Sequence, residues 1–133
     1  MASRPVDTIV ACAGCRVQLD VHVHSNAYKV EFEISTKFSR PLGHKRWVSR
    51  GTIVEQNRPY GIVFQIESAL PPSIKDQVVD FGVVEFSVSG RQIGTITLPR
   101  IEATQPTGDH DTKYLMLYVV IEPDRIVRYE FEQ

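Results

Sequence analysis

The chain has 133 residues, of which 42% are hydrophobic and 23% charged, and its formal net charge is −1. This composition excludes a disordered tail, a collagen-like repeat and a disulfide-rich scaffold, and it supplies enough apolar side chains for one core. The near-zero charge gives no overall field that would attract nucleic acid or acidic membranes. We therefore expect one domain over residues 1–133, without a transmembrane segment because no apolar run approaches ~18 residues.

The N-terminal residues and the cysteine usage predict a cellular location. The opening MASRPVDTIV contains one arginine but no long apolar stretch, which favours a chain without a signal peptide. Two cysteines and the absence of an N-x-S/T site are typical of a reducing compartment. The sequence thus predicts a cytoplasmic protein. Because no P-loop or dinucleotide-binding glycine pattern occurs, it predicts no cofactor.

Short alternating runs, separated by turn residues, recur about every dozen positions, which is typical of an antiparallel sandwich or barrel. They predict eight strands, at residues 17–23, 28–34, 47–55, 60–67, 83–88, 93–98, 114–121 and 126–133. Residues 70–77 predict one short helical turn capped by Ser73, and residues 102–112 predict an exposed loop. The fold class is therefore all-β, an antiparallel sandwich of about eight strands. Immunoglobulin-like, C2-like and jelly-roll topologies all remain open.

Three hairpins follow from the turn residues. The first would fold about Asn26-Ala27 and place apolar residues opposite one another in the pairs Val23–Val30, Val21–Phe32 and Leu19–Ile34. The second would turn at residues 89–92, where Gly90 permits a positive φ. The third would turn at residues 122–125, where proline followed by aspartate suits a tight turn.

A metal site is one hypothesis for function. His22 and His24 alternate along a predicted strand, so they share a face at about 7 Å, and the first hairpin would place Glu31 opposite His22. Two imidazoles and one carboxylate form a plausible ligand set for a transition metal, with enzymatic chemistry as an extension. Cys12 and Cys15 could chelate zinc or act as a redox dithiol, but the spacing to the histidines and the absence of a βαβ pattern argue against both roles.

No motif for nucleophilic catalysis is present. The sequence contains no G-x-S-x-G elbow, and Ser25 follows His24 directly, so the two side chains would point to opposite faces of a strand. We therefore expect a protein that is not an enzyme.

Residues 37–50 form the most basic segment of the chain, with no acidic residue among them. Cations neutralise phosphates and an interleaved aromatic ring can stack on a base, so this segment predicts an anion-binding loop for nucleic acid or acidic lipid. Solvation of a long connection is the alternative explanation. The residues expected to bind an anion are Lys37, Arg40, Lys45, Arg46, Trp47 and Arg50.

The final hairpin suggests a contact surface. With a turn centred on Pro123-Asp124, one face would carry Met116, Tyr118 and Val120 and would form the core. The other face would present a second aliphatic stripe, which is costly to leave in water and favours a covering partner or a covering loop. The residues of this predicted partner-binding stripe are Leu115, Leu117, Val119 and Ile121.

These observations together predict a non-catalytic binding or assembly module. The aliphatic stripe would contact another protein or a second copy of the chain, and the basic segment would attract an anionic partner. Binding of nucleic acid or acidic lipid through residues 37–50 is the first alternative. A metal site at His22, His24 and Glu31 is the second alternative.

Overall fold

Alternation of apolar and polar residues produces β-strands along most of the chain. The computed structural model describes residues 6–25, 29–43, 46–54, 62–106 and 111–133. Two short 3-10 turns, Arg40–Leu42 and Pro72–Ile74, interrupt the strands. The strands are β1 (Thr8–Cys12), β2 (Arg16–Ser25), β3 (Val30–Phe38), β4 (Arg46–Ile53), β5 (Ile62–Ala69), β6 (Val78–Asp80), β7 (Gly82–Val88), β8 (Arg91–Thr97), β9 (Arg100–Thr104), β10 (Thr112–Glu122) and β11 (Arg125–Glu132).

The strands form three sheets. The β2 sheet has the order β11-β10-β2-β5, the β3 sheet has the order β4-β3-β7-β8, and a small sheet has the order β1-β9-β6. Most pairings between described strands are antiparallel, but β2–β10 and β1–β9 are parallel. The all-β sandwich predicted from the sequence is confirmed. Its eight predicted strands are those of the two larger sheets, and the short strands β1, β6 and β9 were missed.

One hydrophobic cluster fills the space between the inner faces of the sheets. All three sheets contribute to it, as Ile9 and Ile101 of the small sheet are buried together with side chains of the larger sheets. The alternation is strict in β2, where every second residue from Val17 to Val23 is fully buried. Burial of this apolar surface is the main stabilising contribution to the fold.

The predicted hairpin between residues 17–23 and 28–34 is wrong. β2 pairs with β5 and β10, whereas β3 pairs with β4 and β7, so the two consecutive strands lie in different sheets. The predicted inward residues are nevertheless correct, because Val21, Val23, Phe32 and Ile34 are all buried. Alternation defines which side of a strand faces the core, but it does not define which strand is the neighbour.

The other two hairpins are confirmed. β7 and β8 pair in antiparallel fashion around a turn in which Ser89 and Gly90 have positive φ values, and β10 and β11 pair around residues 123–124. The predicted helical turn is a 3-10 turn, with Pro71 rather than Ser73 at its N-terminal cap position. The predicted loop 102–112 is wrong at residues 102–104, which belong to β9, and at Thr112, where β10 begins. Its residues 107–110 lie outside the described part of the chain.

The edges of the two larger sheets approach each other at two places. Beside β5, the ring of Trp47 on β4 lies 6.1 Å from the ring of Phe64. Beside β11, Gly94 of β8 faces Ile126, and a Cβ atom at position 94 would lie 2.6 Å from the Cδ1 atom of Ile126. A glycine at position 94 therefore allows the β3 sheet to pack closely against the C-terminal hairpin.

Candidate functional site

The structure separates the residues of the predicted metal site. His22 and His24 share the outer face of the β2 sheet, as the alternation predicts, and both are half-buried. Glu31 lies in the β3 sheet, where it lines a depression of about 260 Å³ together with Glu33 and Arg50. The metal-site prediction is therefore wrong in its geometry, because the expected pairing of β2 with β3 does not form. No cluster of three potential ligands of the His, Cys, Asp or Glu type occurs among the described residues.

The two cysteines are joined to each other. Cys12 ends β1, Cys15 precedes β2, and a disulfide links them across the turn formed by Ala13 and Gly14. The turn is held to the rest of the chain because the backbone N–H of Gly14 donates to the carbonyl of Leu70, and the N–H of Leu70 donates to the carbonyl of Cys15. In this state neither sulfur is a thiolate ligand, so the cysteines do not form a zinc pair.

The predicted partner-binding stripe lies in the core. Leu115, Leu117, Val119 and Ile121 have no exposed surface and face the inner side of the β2 sheet. The interpretation of these four residues as an uncovered contact surface is therefore wrong. Strand β10 is apolar on both faces, as the sequence indicated, but the assignment of its inner and outer faces was inverted.

A β-bulge explains the inversion. From Met116 to Val120 the partners on β11 run from Glu132 to Arg128, but Ile121 pairs with Ile126, so Val127 is an extra residue in β11. One extra residue shifts the register by one position and exchanges the two faces of a strand. Consequently Tyr129 and Phe131 share the inner side with the aliphatic stripe, and the charged residues of β11 share the outer side with Tyr118.

The basic segment 37–50 is not a single loop. Lys37 is the penultimate residue of β3, while Arg46 and Arg50 lie on β4, with the 3-10 turn at Arg40 between the strands. Two of the cations contact carboxylates on the outer face of the β3 sheet: Lys37 Nζ lies 3.3 Å from Glu85, and Arg50 Nε lies 2.7 Å from Glu33. Lys45 lies outside the described residues. The charge of the segment is thus partly neutralised within the molecule.

Trp47 does not accompany those cations on the surface. Its partner across the strands, Thr36, is fully buried, and the indole packs against the hydrophobic core beside Phe64. The aromatic ring that was expected to stack on a nucleic-acid base is therefore a half-buried core residue. This placement agrees with the predicted strand 47–55, which begins at Trp47.

The sequence analysis missed a group of exposed side chains on the C-terminal hairpin. All three tyrosines of the described chain lie there, and Tyr114, Tyr118 and Tyr129 are exposed at 57%, 38% and 54%. Val127, the bulge residue, is exposed at 39%. We call these four residues the hairpin surface: Tyr114, Tyr118, Val127 and Tyr129.

Side chains on and beside the outer part of this surface contact one another. The imidazole of His22 and the ring of Tyr118 are separated by 4.7 Å between centroids, and the Tyr118 hydroxyl lies 3.8 Å from the sulfur of Met116 as a donor. At the turn, Arg125 Nε lies 3.2 Å from a carboxylate oxygen of Glu122. That hydrogen bond and the charge of Glu122 raise the pKa of Arg125, which keeps its guanidinium charged.

The composition of the two stripes of β10 was the signal that could have located the hairpin surface. One stripe contains only leucine, valine and isoleucine, whereas the other contains two tyrosines and a methionine. Tyrosine combines an apolar ring with a polar end and tolerates partial exposure, so the purely aliphatic stripe is the better candidate for the core.

Comparison of the sequence with models of known protein families and with the curated proteins finds no match. In the described part of the chain, no helix has the length and apolar character required to cross a bilayer. The features of the chain that bear on function are therefore those of its surface, above all of the C-terminal hairpin.

Proposed function

We propose that this chain is a non-catalytic binding and assembly module that contacts another protein chain through its C-terminal hairpin. The observation that carries the proposal is that the hairpin holds all three tyrosines of the described chain, all of them exposed: Tyr114 and Tyr118 on the outer side of β10, and Tyr129 on the inner side of the edge strand β11. Tyrosine is enriched at protein interfaces because its ring buries a large apolar area while its hydroxyl still finds a polar partner. Elsewhere in the described chain, the exposed large hydrophobic side chains are all valines.

The position of the hairpin supports this role. β11 is the end strand of its sheet, and β10 beside it is held from below by the fully buried stripe from Leu115 to Ile121. Tyr114 and Tyr118, on the outer side of β10, thus lie on a firm support rather than on a loop. Since their backbone is already ordered, binding through them costs little conformational entropy.

The basic segment is a weaker basis for function. Its cations Lys37 and Arg50 already contact Glu85 and Glu33, and its tryptophan faces the core. The cytoplasmic location predicted from the sequence stays a prediction. The Cys12–Cys15 disulfide is more typical of an oxidising compartment than of a reducing one.

Site-specific photo-crosslinking tests the proposal. A benzophenone amino acid at Tyr118 should form covalent adducts with another protein chain in the cells that make this protein. The matched control carries the same group at Val10, which is 50% exposed on the small sheet. Adducts at position 118 in clear excess over position 10 support the proposal, and mass spectrometry identifies the adduct as this chain or another protein. Equal adducts at both positions, or none at position 118, contradict it.

A further inference from the structure

The outer edge of β11 is a free sheet edge. β11 has eight residues and ends the order β11-β10-β2-β5, so one of its sides pairs with β10 and the other pairs with no described strand. Natural edges are usually protected by proline, by charged side chains, by β-bulges or by short length. β11 contains no proline, and although it has a bulge at Val127, its pairing with β10 is regular from Arg128 to Glu132. The regular part of its free edge is therefore suited to pairing with another strand.

Two charges on the outer side of β11 have no ion-pair partner among the described residues. Arg128 and Glu130 are exposed, and neither forms an ion pair with another described residue. Their neighbours across the pairing with β10 are Val120 and Tyr118, which are uncharged. Two opposite charges at alternate positions of a free edge can form ion pairs with the same two residues on the edge of a second copy.

The register of such a pairing is restricted by the faces of the sheet. Residues directly opposite each other in an antiparallel pair point to the same side, so outward residues must meet outward residues. Near the middle of β11, three two-fold registers meet this condition, with the axis at Arg128, Tyr129 or Glu130. The first sets arginine against arginine, which is destabilising. The third places Arg128 opposite Glu132 twice but sets Glu130 against Glu130, so it is less favourable than a register without a like-charge contact.

The axis at Tyr129 gives a complementary pairing. Arg128 of each copy then lies opposite Glu130 of the other, so two ion pairs form on the outer side. Tyr129 meets Tyr129, so two aromatic side chains that are exposed in one copy cover each other, and the bulge residue Val127 comes close to Phe131 of the other copy. A two-fold axis at this position makes the interface closed and limits the assembly to two chains.

Building on the proposed function, we propose that the partner of the C-terminal hairpin is a second copy of this chain. Its β11 pairs antiparallel with the first β11 about Tyr129 and joins the two β2 sheets into one continuous sheet. Two sets of backbone hydrogen bonds along the free edge provide affinity, and the Arg128–Glu130 pairs select the register.

Light scattering on charge-swap variants tests this inference. The wild-type chain should give twice the 15.1 kDa mass of one copy. Arg128→Glu and Glu130→Arg each set like charges against each other twice, so each should weaken dimerisation about tenfold or more. The double variant, with both residues exchanged, should restore the wild-type dissociation constant to within about threefold. Lys75→Glu and Glu102→Arg are matched controls at exposed positions outside the β2 sheet and should leave the dimer unchanged.

A single-cysteine experiment tests the register independently. Tyr129→Cys places two thiols on the axis, within reach of a disulfide between copies, and mild oxidation should give a covalent dimer. Val127→Cys places the thiols several residues apart and should not. Equal cross-linking at both positions would overturn the proposed register.

The outcomes separate this inference from the proposed function. A wild-type chain that stays monomeric at millimolar concentration overturns self-pairing. If photo-adducts at position 118 then contain a different protein, the proposed function stands. A dimer that both single charge swaps leave intact, or that the double exchange fails to restore, also overturns the β11 pairing. In that case, absence of photo-adducts at position 118 contradicts the proposed function as well.

Discussion

The C-terminal hairpin and the β3–β4 pair use similar residues in opposite ways. Both are two-stranded units at the edge of a larger sheet, and both have an apolar inner side and charges on the outer side. In β3–β4 the aromatic residue, Trp47, packs against the core, and Arg50 contacts Glu33 across the strands. In the hairpin the tyrosines are exposed and Arg128 has no acidic partner among the described residues.

This difference distinguishes an edge whose charges and aromatic ring have contacts within the chain from an edge that leaves them exposed. A pair of strands whose charges and aromatic ring are satisfied internally gains little from a partner. A pair that leaves aromatic area and charge at its free edge gains both apolar burial and ion pairing when another chain covers it. Composition alone does not separate the two regions, because both combine arginine, glutamate and aromatic residues.

The largest expected effect tests the inner and outer faces of β10. Leu117→Lys introduces a charge at a position with no exposed surface, so we expect a loss of on the order of 4 kcal/mol in the free energy of unfolding, or failure to fold. The adjacent Tyr118→Lys is the matched control on the outer side, and its loss should stay below about 1 kcal/mol.

Urea unfolding followed by circular dichroism measures both variants. The original prediction from the sequence assigned the aliphatic stripe to a contact surface, and it would require the reverse result. A folded and stable Leu117→Lys variant, combined with strong destabilisation by Tyr118→Lys, would show that the faces are assigned incorrectly.

An intermediate effect compares the two aromatic environments. Trp47→Ala removes a half-buried indole packed against Phe64, and we expect a loss of about 2 kcal/mol, less than for a fully buried aromatic residue. Tyr129→Ala should cost less than about 1 kcal/mol in the monomer, because 54% of the residue is exposed. It should weaken association instead, which Trp47→Ala should not do.

Thermal unfolding of dilute samples and light scattering of concentrated samples measure the two properties separately. If Tyr129→Ala destabilised the monomer as much as Trp47→Ala, the exposed ring would be part of the fold rather than of a contact surface. If Trp47→Ala altered association and left stability unchanged, the tryptophan would belong to an interface.

For β2 and β3, the sequence predicts the buried sides of the strands but not the neighbouring strands. The alternation in β2 and β3 identifies the buried residues Val21 and Phe32, because burial depends only on the local period of two. It does not indicate that the strands lie in different sheets, since either arrangement buries the same side chains. The short strands of the small sheet, such as Val78–Asp80, span too few residues to produce a recognisable period.

In the candidate site, the neighbouring strand also decides which side of β10 is buried, so an error in the pairing becomes an error in the buried residues. Because of one bulge at Val127, the aliphatic stripe from Leu115 to Ile121 lies in the core and not on the expected contact surface. No single residue in the sequence of this hairpin indicates a bulge. The conflict that it resolves is visible in the sequence, however, because the expected register placed Arg128 and Glu130 beside purely aliphatic neighbours.

The smallest expected effect concerns the charges themselves. Arg50→Ala removes an ion pair with Glu33 in which both side chains are substantially exposed, so it should lower stability by about 0.5 kcal/mol at low ionic strength. Arg128→Ala removes a charge with no ion-pair partner in the described part of the chain and should leave monomer stability unchanged. In ~1 M salt the difference between the variants should disappear, because exposed charges are then screened.

A double-mutant cycle of Arg50→Ala with Glu33→Ala isolates the coupling between these two residues. The corresponding cycle of Arg128→Ala with Glu130→Ala should show no coupling in the dilute monomer. At dimer-forming concentrations the second cycle should acquire a coupling, because Arg128 and Glu130 then meet across the axis. Coupling that depends on protein concentration cannot come from a contact within one chain. A coupling of equal size at every concentration would instead place Arg128 and Glu130 in contact within the monomer. The charges of both edges would then be paired within one chain.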